Sequence, residues 1–254
     1  MKVKTISVLR IPISLVNYQT TLQKIHEFVV AKTKTYICVA ATHLLVECQK
    51  NRYLNEGVTA ADIVTPDGMP LVWIMRRKGG NGASRVYGPE LTERVCQIAL
   101  MKSYRIFLLG GRAGQSKRLK SVLISKFPGI KICGNADTPD KTRIAPNVIN
   151  DINISLADIV FVGIGCPYQE LWMIQNRKAL NASVLIGVGA AFDFILGYKK
   201  QAPVWMQNNG LEWMFRLIQE PGRLWKRYIV DNTLFIYYCL KFESPNFFGN
   251  LHGK

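Results

Sequence analysis

Short runs of apolar and β-branched residues alternate along this chain with longer stretches in which apolar positions recur every three or four residues. The short runs predict strands at residues 7–11, 36–40, 62–64, 105–109, 130–133, 159–162 and 184–187. The longer ones predict helices that include 21–31, 44–54, 91–101, 114–127 and 169–180. Strands that are apolar without interruption are buried on both faces, and strand-helix alternation supplies the covering helices. The expectation is an α/β domain with a Rossmann-like, mostly parallel sheet flanked by helices. The alternation stops near residue 200, where two helical segments follow at about 204–219 and 222–240. Pro221 lies between them and suits the first turn of a new helix. We therefore expect a Rossmann-like domain over residues 1–200 and a C-terminal helical appendage over 201–254, with a loose tail from 242.

A parallel sheet binds ligands beyond the carboxyl ends of its strands. Five predicted strand-to-helix turns lie there: Ala41-Thr42-His43, Thr65-Pro66-Asp67-Gly68, Gly110 to Gly114, Gly163 to Pro167, and Gly189 to Asp193. Asp67 sits in a Pro-Asp-Gly turn, where a carboxylate is presented at the rim and can accept a hydroxyl proton. The bland alternative is an aspartate that caps the next helix. The glycine turns at Gly110, Gly111 and Gly165 offer backbone N–H groups at helix starts, which cradle phosphates. They can equally be tight turns that need positive φ. Neither the dinucleotide spacing nor a Walker lysine is present. His43 lies in a rim loop, and Gln169 and Glu170 open a predicted helix, where they either cap it or bind a ligand. No Asp-x-Asp occurs, so leaving-group charge falls to Arg, Lys and backbone N–H, with no metal.

Composition adds a partner class. The 33 Lys and Arg against 17 Asp and Glu give +16, a field that attracts nucleic acid, an anionic membrane face or phosphate-bearing substrates. Six cysteines without a C-x-x-C pair read as reduced thiols of a cytoplasmic protein. The start of the chain reads as a strand rather than a signal peptide. The late apolar run 228–240 contains Asp231 and Asn232 and falls short of the ~20 residues that span a bilayer. In the appendage, Arg223 and Arg227 share a helix face and, with Arg216, can clamp anionic oxygens or form a solvated face. Aromatic residues from Trp205 to Tyr238 interleave with these charges, a mixture that suits an interfacial helix, packing on the domain or a second subunit.

Five ordered blocks carry a resemblance: Ala61 to Val72 with Thr65-Pro66-Asp67-Gly68, Arg85 to Leu91, Gly163 to Glu170, Gly187 to Phe194, and Ala202 to Tyr228. Together they resemble the bacterial glycosyltransferase family that includes teichoic-acid N-acetylmannosamine transferases, enterobacterial common antigen transferases and exopolysaccharide or capsule transferases. The resemblance implies an inverting, metal-independent and cofactor-free transfer from a UDP-sugar to a polyprenyl-diphosphate-linked saccharide. The implied location is the inner face of the cytoplasmic membrane, with an anionic membrane surface as partner and no nucleic acid; a homo-oligomer stays open. It implies Asp67 as base, Arg85 and Gln169 in the substrate pocket, Asp193 near the nucleotide, and Arg216, Arg223 and Arg227 over the diphosphate. Thr42, His43, Thr65, Gly68, Gly110, Gly111, Gly165, Glu170 and Gly189 complete the expected substrate-binding rim. Two departures stand out: Ala41, where many relatives have Asn, and Gln201, where many have a basic residue. Thr42-His43-Leu44 looks like the exopolysaccharide branch. The donor is N-acetylmannosamine-, glucose- or glucuronic-type. Two other classes remain: a non-catalytic basic module for RNA or anionic lipid, and, further off, a nicotinamide oxidoreductase.

Overall fold

The computed structural model describes residues 3–243, except for the side chains of Arg223, Lys226 and Arg227. It opens with a hairpin of β1 (Thr5–Val8) and β2 (Ile11–Ser14), then α1 (Tyr18–Val30) and β3 (Thr35–Ala40). Next come α2 (Thr42–Lys50), α3 (Arg52–Thr59), β4 (Ile63–Pro66), α4 (Met69–Arg77) and α5 (Gly88–Lys102). The alternation continues through β5 (Arg105–Gly110), α6 (Gln115–Lys126), β6 (Lys131–Ala136), α7 (Asn147–Ile154), β7 (Ile159–Gly163), α8 (Tyr168–Asn176) and β8 (Val184–Gly187). The described chain ends in α9 (Ala191–Ile195), α10 (Val204–Asn208), α11 (Glu212–Gln219) and α12 (Pro221–Phe242).

Six strands form one all-parallel sheet in the order β4-β3-β8-β7-β5-β6, the Rossmann-like α/β fold that the pattern predicts. The chain leaves β3 for one edge and β5 for the other, while β7 and β8 fill the middle. Crossovers in opposite directions open a crevice at the carboxyl ends of the central strands. Side chains alternate between the faces. Ile106, Leu108 and Phe161 join α1, α5 and α6 on one side. Phe107, Leu109 and Val160 join α2, α3, α8 and the C-terminal helices on the other.

The strand expected at residues 7–11 is corrected. β1 and β2 pair antiparallel from Thr5 opposite Ser14 to Val8 opposite Ile11, apart from the main sheet. Leu9 and Arg10 make the turn with φ of 48° and 65°, the left-handed conformation that a two-residue hairpin needs. Partners elsewhere hold this turn: Leu9 N–H donates to Glu243 (2.9 Å), and Gln49 donates to the Leu9 carbonyl (2.9 Å).

The helix expected at 44–54 is divided at Asn51, whose side chain accepts from the Leu54 N–H (3.1 Å) and caps α3. The helix expected at 204–219 is broken at Gly210, with φ of +69°, where an added Cβ would lie 2.7 Å from the Trp73 ring. Pro221 occupies the first turn of α12, as its chemistry predicts. This helix runs beside α2, and its Phe235 and Cys239 are buried in the same apolar cluster as Leu44, Leu45 and Cys48. The loose tail expected from 242 is corrected at its start, where Phe242 completes α12 and Glu243 is buried against Leu9 and Lys78; residues 244–254 lie outside the described residues.

Phe235→Ala is expected to cost about 3 kcal/mol in urea unfolding, because it empties a filled core site. Trp225→Ala, at a site 52% exposed, is expected to change stability by less than about 0.5 kcal/mol.

Candidate active site

The turn that presents Asp67 is built by the backbone. Asp67 N–H donates to the Ala40 carbonyl (2.7 Å), which extends the strand pairing one residue past β4. Gly68 then takes a φ of +128°, a conformation that side chains resist, and α4 begins at once with Met69 and Pro70. Gly68 is the N-cap of α4, and no side chain caps the helix. The helix-capping alternative for Asp67 is thereby excluded.

Asp67 Oδ1 accepts two hydrogen bonds from Arg85, from Nε and Nη2, both at 3.2 Å. Arg85 Nη1 donates to Gln207 Oε1 of α10 (3.0 Å), and Nη2 also donates to Glu212 Oε2 of α11. Glu212 Oε1 pairs in turn with Arg216 (2.8 Å). The Arg85 guanidinium lies over the Tyr87 ring at 4.3 Å, and that of Arg216 lies over Phe194 at 5.0 Å. Burial pushes the Asp67 carboxyl above its ordinary range; Arg85 opposes this and Glu212 adds to it.

Two cavities meet at this carboxylate. One, of about 420 Å³, lies at the strand ends among Gly111, Gly165, Gly189, His43, Gln169 and Asp193, with Arg112, Lys141, Lys199 and Arg216 in its walls. The other, of about 430 Å³, lies between the start of α4 and the C-terminal helices. Its walls include Thr42, Gly68, Met69, Arg85, Trp213, Tyr228, Phe235 and Ile236. Ala41, Asp67 and Arg216 belong to both.

The glycine turns are tied together by one side chain. Gln169 Oε1 accepts from the N–H groups of Gly165 (3.3 Å) and Gly189 (2.9 Å), and its Nε2 donates to Glu170 (2.7 Å). Asp193 accepts from Gln115 (2.7 Å) and pairs with Lys199 (2.7 Å). Its burial opposes ionisation, but these two partners outweigh that and hold its pKa below the ordinary value.

Three expected rim residues stand off both cavities. Thr65 is fully buried within β4. Gly110 serves close packing instead: with φ of +135°, any Cβ there would lie 2.6 Å from the Gly163 backbone. Glu170 is fully buried behind Gln169, and burial pushes its pKa up to about 7. The side chains of Arg223 and Arg227 lie outside the described residues.

His43 Nδ1 lies 2.6 Å from Asp231 of α12. Together with Glu47 they bring ligand-type atoms within 4.8 Å of one another. Lys50 already places its ammonium 2.8 Å from Glu47 and 3.7 Å from Asp231, so this group holds a cation of its own.

Reading the sequence alone missed Gln207, Glu212, Arg112, Lys141 and Lys199. Glu212 did leave a trace, an acidic residue four positions before Arg216 at a helix start. Lys141 lies in the irregular connection after β6, where no periodicity marks it.

A family model, the Glycosyl transferase WecG/TagA/CpsF family, matches residues 6–245. The chain belongs to this family. An N-acetylglucosaminyldiphosphoundecaprenol N-acetyl-beta-D-mannosaminyltransferase of Bacillus subtilis strain 168 is 34% identical over 180 residues, covering 70% of this chain and 68% of the relative. A protein with the same activity name from Bacillus spizizenii strain W23 is 30% identical over 223 residues, covering 86% and 85%. The chain is thus a glycosyltransferase.

Glu170 generates a pH test. Between its ordinary pKa of 4.5 and its value of about 7 in the fold, the folded chain holds a proton that the unfolded chain has lost. Stability therefore falls as pH rises through that window. Glu170→Gln removes this loss, so its melting temperature relative to wild type is expected to rise between about pH 5 and about pH 8. A constant difference across that range is the contrary result.

Proposed function

We propose that this enzyme transfers a sugar from a UDP-sugar to a polyprenyl-diphosphate-linked saccharide, by one inverting displacement without metal or cofactor. The observation that carries this is the place of Asp67 in the wall between two cavities. An inverting displacement needs the base on one side of the anomeric carbon and the leaving group on the other. The strand-end cavity suits the UDP-sugar: among the described residues, glycine turns and four cationic side chains surround it. The second cavity, with Met69, Trp213 and Phe235 in its walls, suits the acceptor and the first part of its lipid. The names of the two relatives support a lipid-diphosphate acceptor.

In the reaction the acceptor hydroxyl gives its proton to Asp67 as its oxygen attacks the anomeric carbon. The bond to UDP breaks on the opposite face. Its electrons go to the β-phosphate, whose charge Arg216 and Lys141 meet. Metal independence is supported by the pairing of the carboxylates here. Asp67 and Glu212 face Arg85, while Asp193 and Glu220 face Lys199.

No helix among the described residues is long and apolar enough to cross a membrane. Trp213, Ile218, Trp225, Ile229, Ile236 and Leu240 of α11 and α12 are exposed. In a chain of net charge +16, that face suits an anionic membrane surface on the cytoplasmic side, where the lipid acceptor resides. A second copy of the chain is the other candidate cover.

The test is UDP release from a panel of UDP-N-acetylmannosamine, UDP-glucose and UDP-glucuronic acid with a synthetic lipid-diphosphate saccharide, with and without chelator. Asp67→Asn is expected to lower turnover about 10²- to 10⁴-fold while the protein stays folded. Undiminished turnover would remove Asp67 from the role of base. For the membrane, flotation with anionic vesicles is expected to carry wild type, and Trp225→Glu with Ile229→Glu to stay behind. Equal flotation of both proteins refutes that contact.

A further inference from the structure

Arginine beside a carboxylate ordinarily forms two parallel bonds, one to each oxygen. Arg85 does otherwise with Asp67. Its Nε and Nη2 both converge on Oδ1, and Oδ2 accepts no hydrogen bond among the described residues. The guanidinium is turned from the parallel arrangement by two partners on the C-terminal helices: Gln207 takes Nη1, and Glu212 shares Nη2. Glu212 does this with one oxygen and gives the other to Arg216. Two guanidinium groups and two carboxylates make a neutral set of four, in which each negative charge has a positive partner. Without Glu212, Asp67 faces both arginines alone.

We infer that Glu212 is a positioning residue: by drawing Arg85 and Arg216 toward itself, it leaves Asp67 Oδ2 open to a substrate hydroxyl. Glu212 touches neither reacting atom in this account; it acts through the two arginines. Among the described residues, the charged and titratable groups that face Asp67 are Arg85 and Tyr87 ahead of α5, Glu212 and Arg216 of α11, and Tyr18 of α1, while His43 of α2 and Tyr228 of α12 line the cavities it borders. Of these, Arg85 and Arg216 lower the proton affinity of Asp67 and Glu212 raises it, after the larger effect of burial. Loss of the Glu212 charge therefore makes Asp67 a weaker base. A weaker base is ionised at lower pH but abstracts a proton more slowly.

The kinetic half of this inference rests on the proposed transfer reaction; the structural half does not. Glu212→Gln keeps the size and an oxygen for Arg85 while it removes the charge. In the full chain labelled with 13C-aspartate, the Asp67 carboxyl resonance, assigned by its loss in Asp67→Asn, reports the titration directly. Its midpoint is expected to fall by about one pH unit in Glu212→Gln. In the transfer assay, the acid limb of kcat/KM is expected to move to lower pH by the same step, with a plateau about tenfold lower. Glu212→Asp, which keeps the charge one methylene farther away, is expected to shift the midpoint by a smaller step in the same direction. It carries the test if the Gln variant does not fold. An unmoved or raised midpoint overturns the inference, as does a rate loss that is equal at every pH. Should wild type transfer no sugar from the panel while the midpoint still falls, the proposed reaction fails and the role of Glu212 stands.

Discussion

Arg85 is the side chain on which the site depends. It stands in the connection between α4 and α5 and bonds the carboxylate of Asp67 at the end of β4, Gln207 of α10 and Glu212 of α11. Residues separated by 122 and 127 positions are thereby fixed to the rim of a sheet that the C-terminal helices do not join. A guanidinium suits this place, since its five donors lie in one plane and it stays charged when half-buried. A lysine there would keep the charge but lose the fixed angles between the three partners.

The same network explains why two cavities, rather than one, surround the carboxylate. Arg216 lines both of them, and Tyr87 and Phe194 flank the two guanidinium groups with their rings. The strand-end side is polar because parallel strands end there in glycine turns, and the other side is apolar because α12 buries Phe235 against α2. The transfer proposed here, of a sugar from a charged nucleotide to a lipid-linked saccharide, calls for one wall of each kind.

Much of this was legible in the sequence, for definite reasons. Buried strands such as β5, β7 and β8 are apolar throughout, so their positions follow from hydrophobic runs, and the rim loops follow from the strands. Asp67 was legible because Pro and Gly flank it, and Arg85 and Gln169 because of a family resemblance. The hairpin was not legible: Leu9 and Arg10 lack the Asn or Gly that announces such a turn, and contacts from Gln49 and Glu243 hold it instead. Thr65, Gly110 and Glu170 lie in rim segments yet stand off both cavities, because sequence marks a loop but not which of its side chains face inward. Glu212 shows its pairing with Arg216 by spacing, whereas its pairing with Arg85 exists only once the chain is folded.

The buried carboxylate of Glu243 accepts from the Leu9 amide and pairs with Lys78, so the turn between β1 and β2 is stitched to the end of α12 across 234 residues. Closing a loop of that length has an entropic cost, so the stitch forms only after the intervening sheet has brought its two ends together.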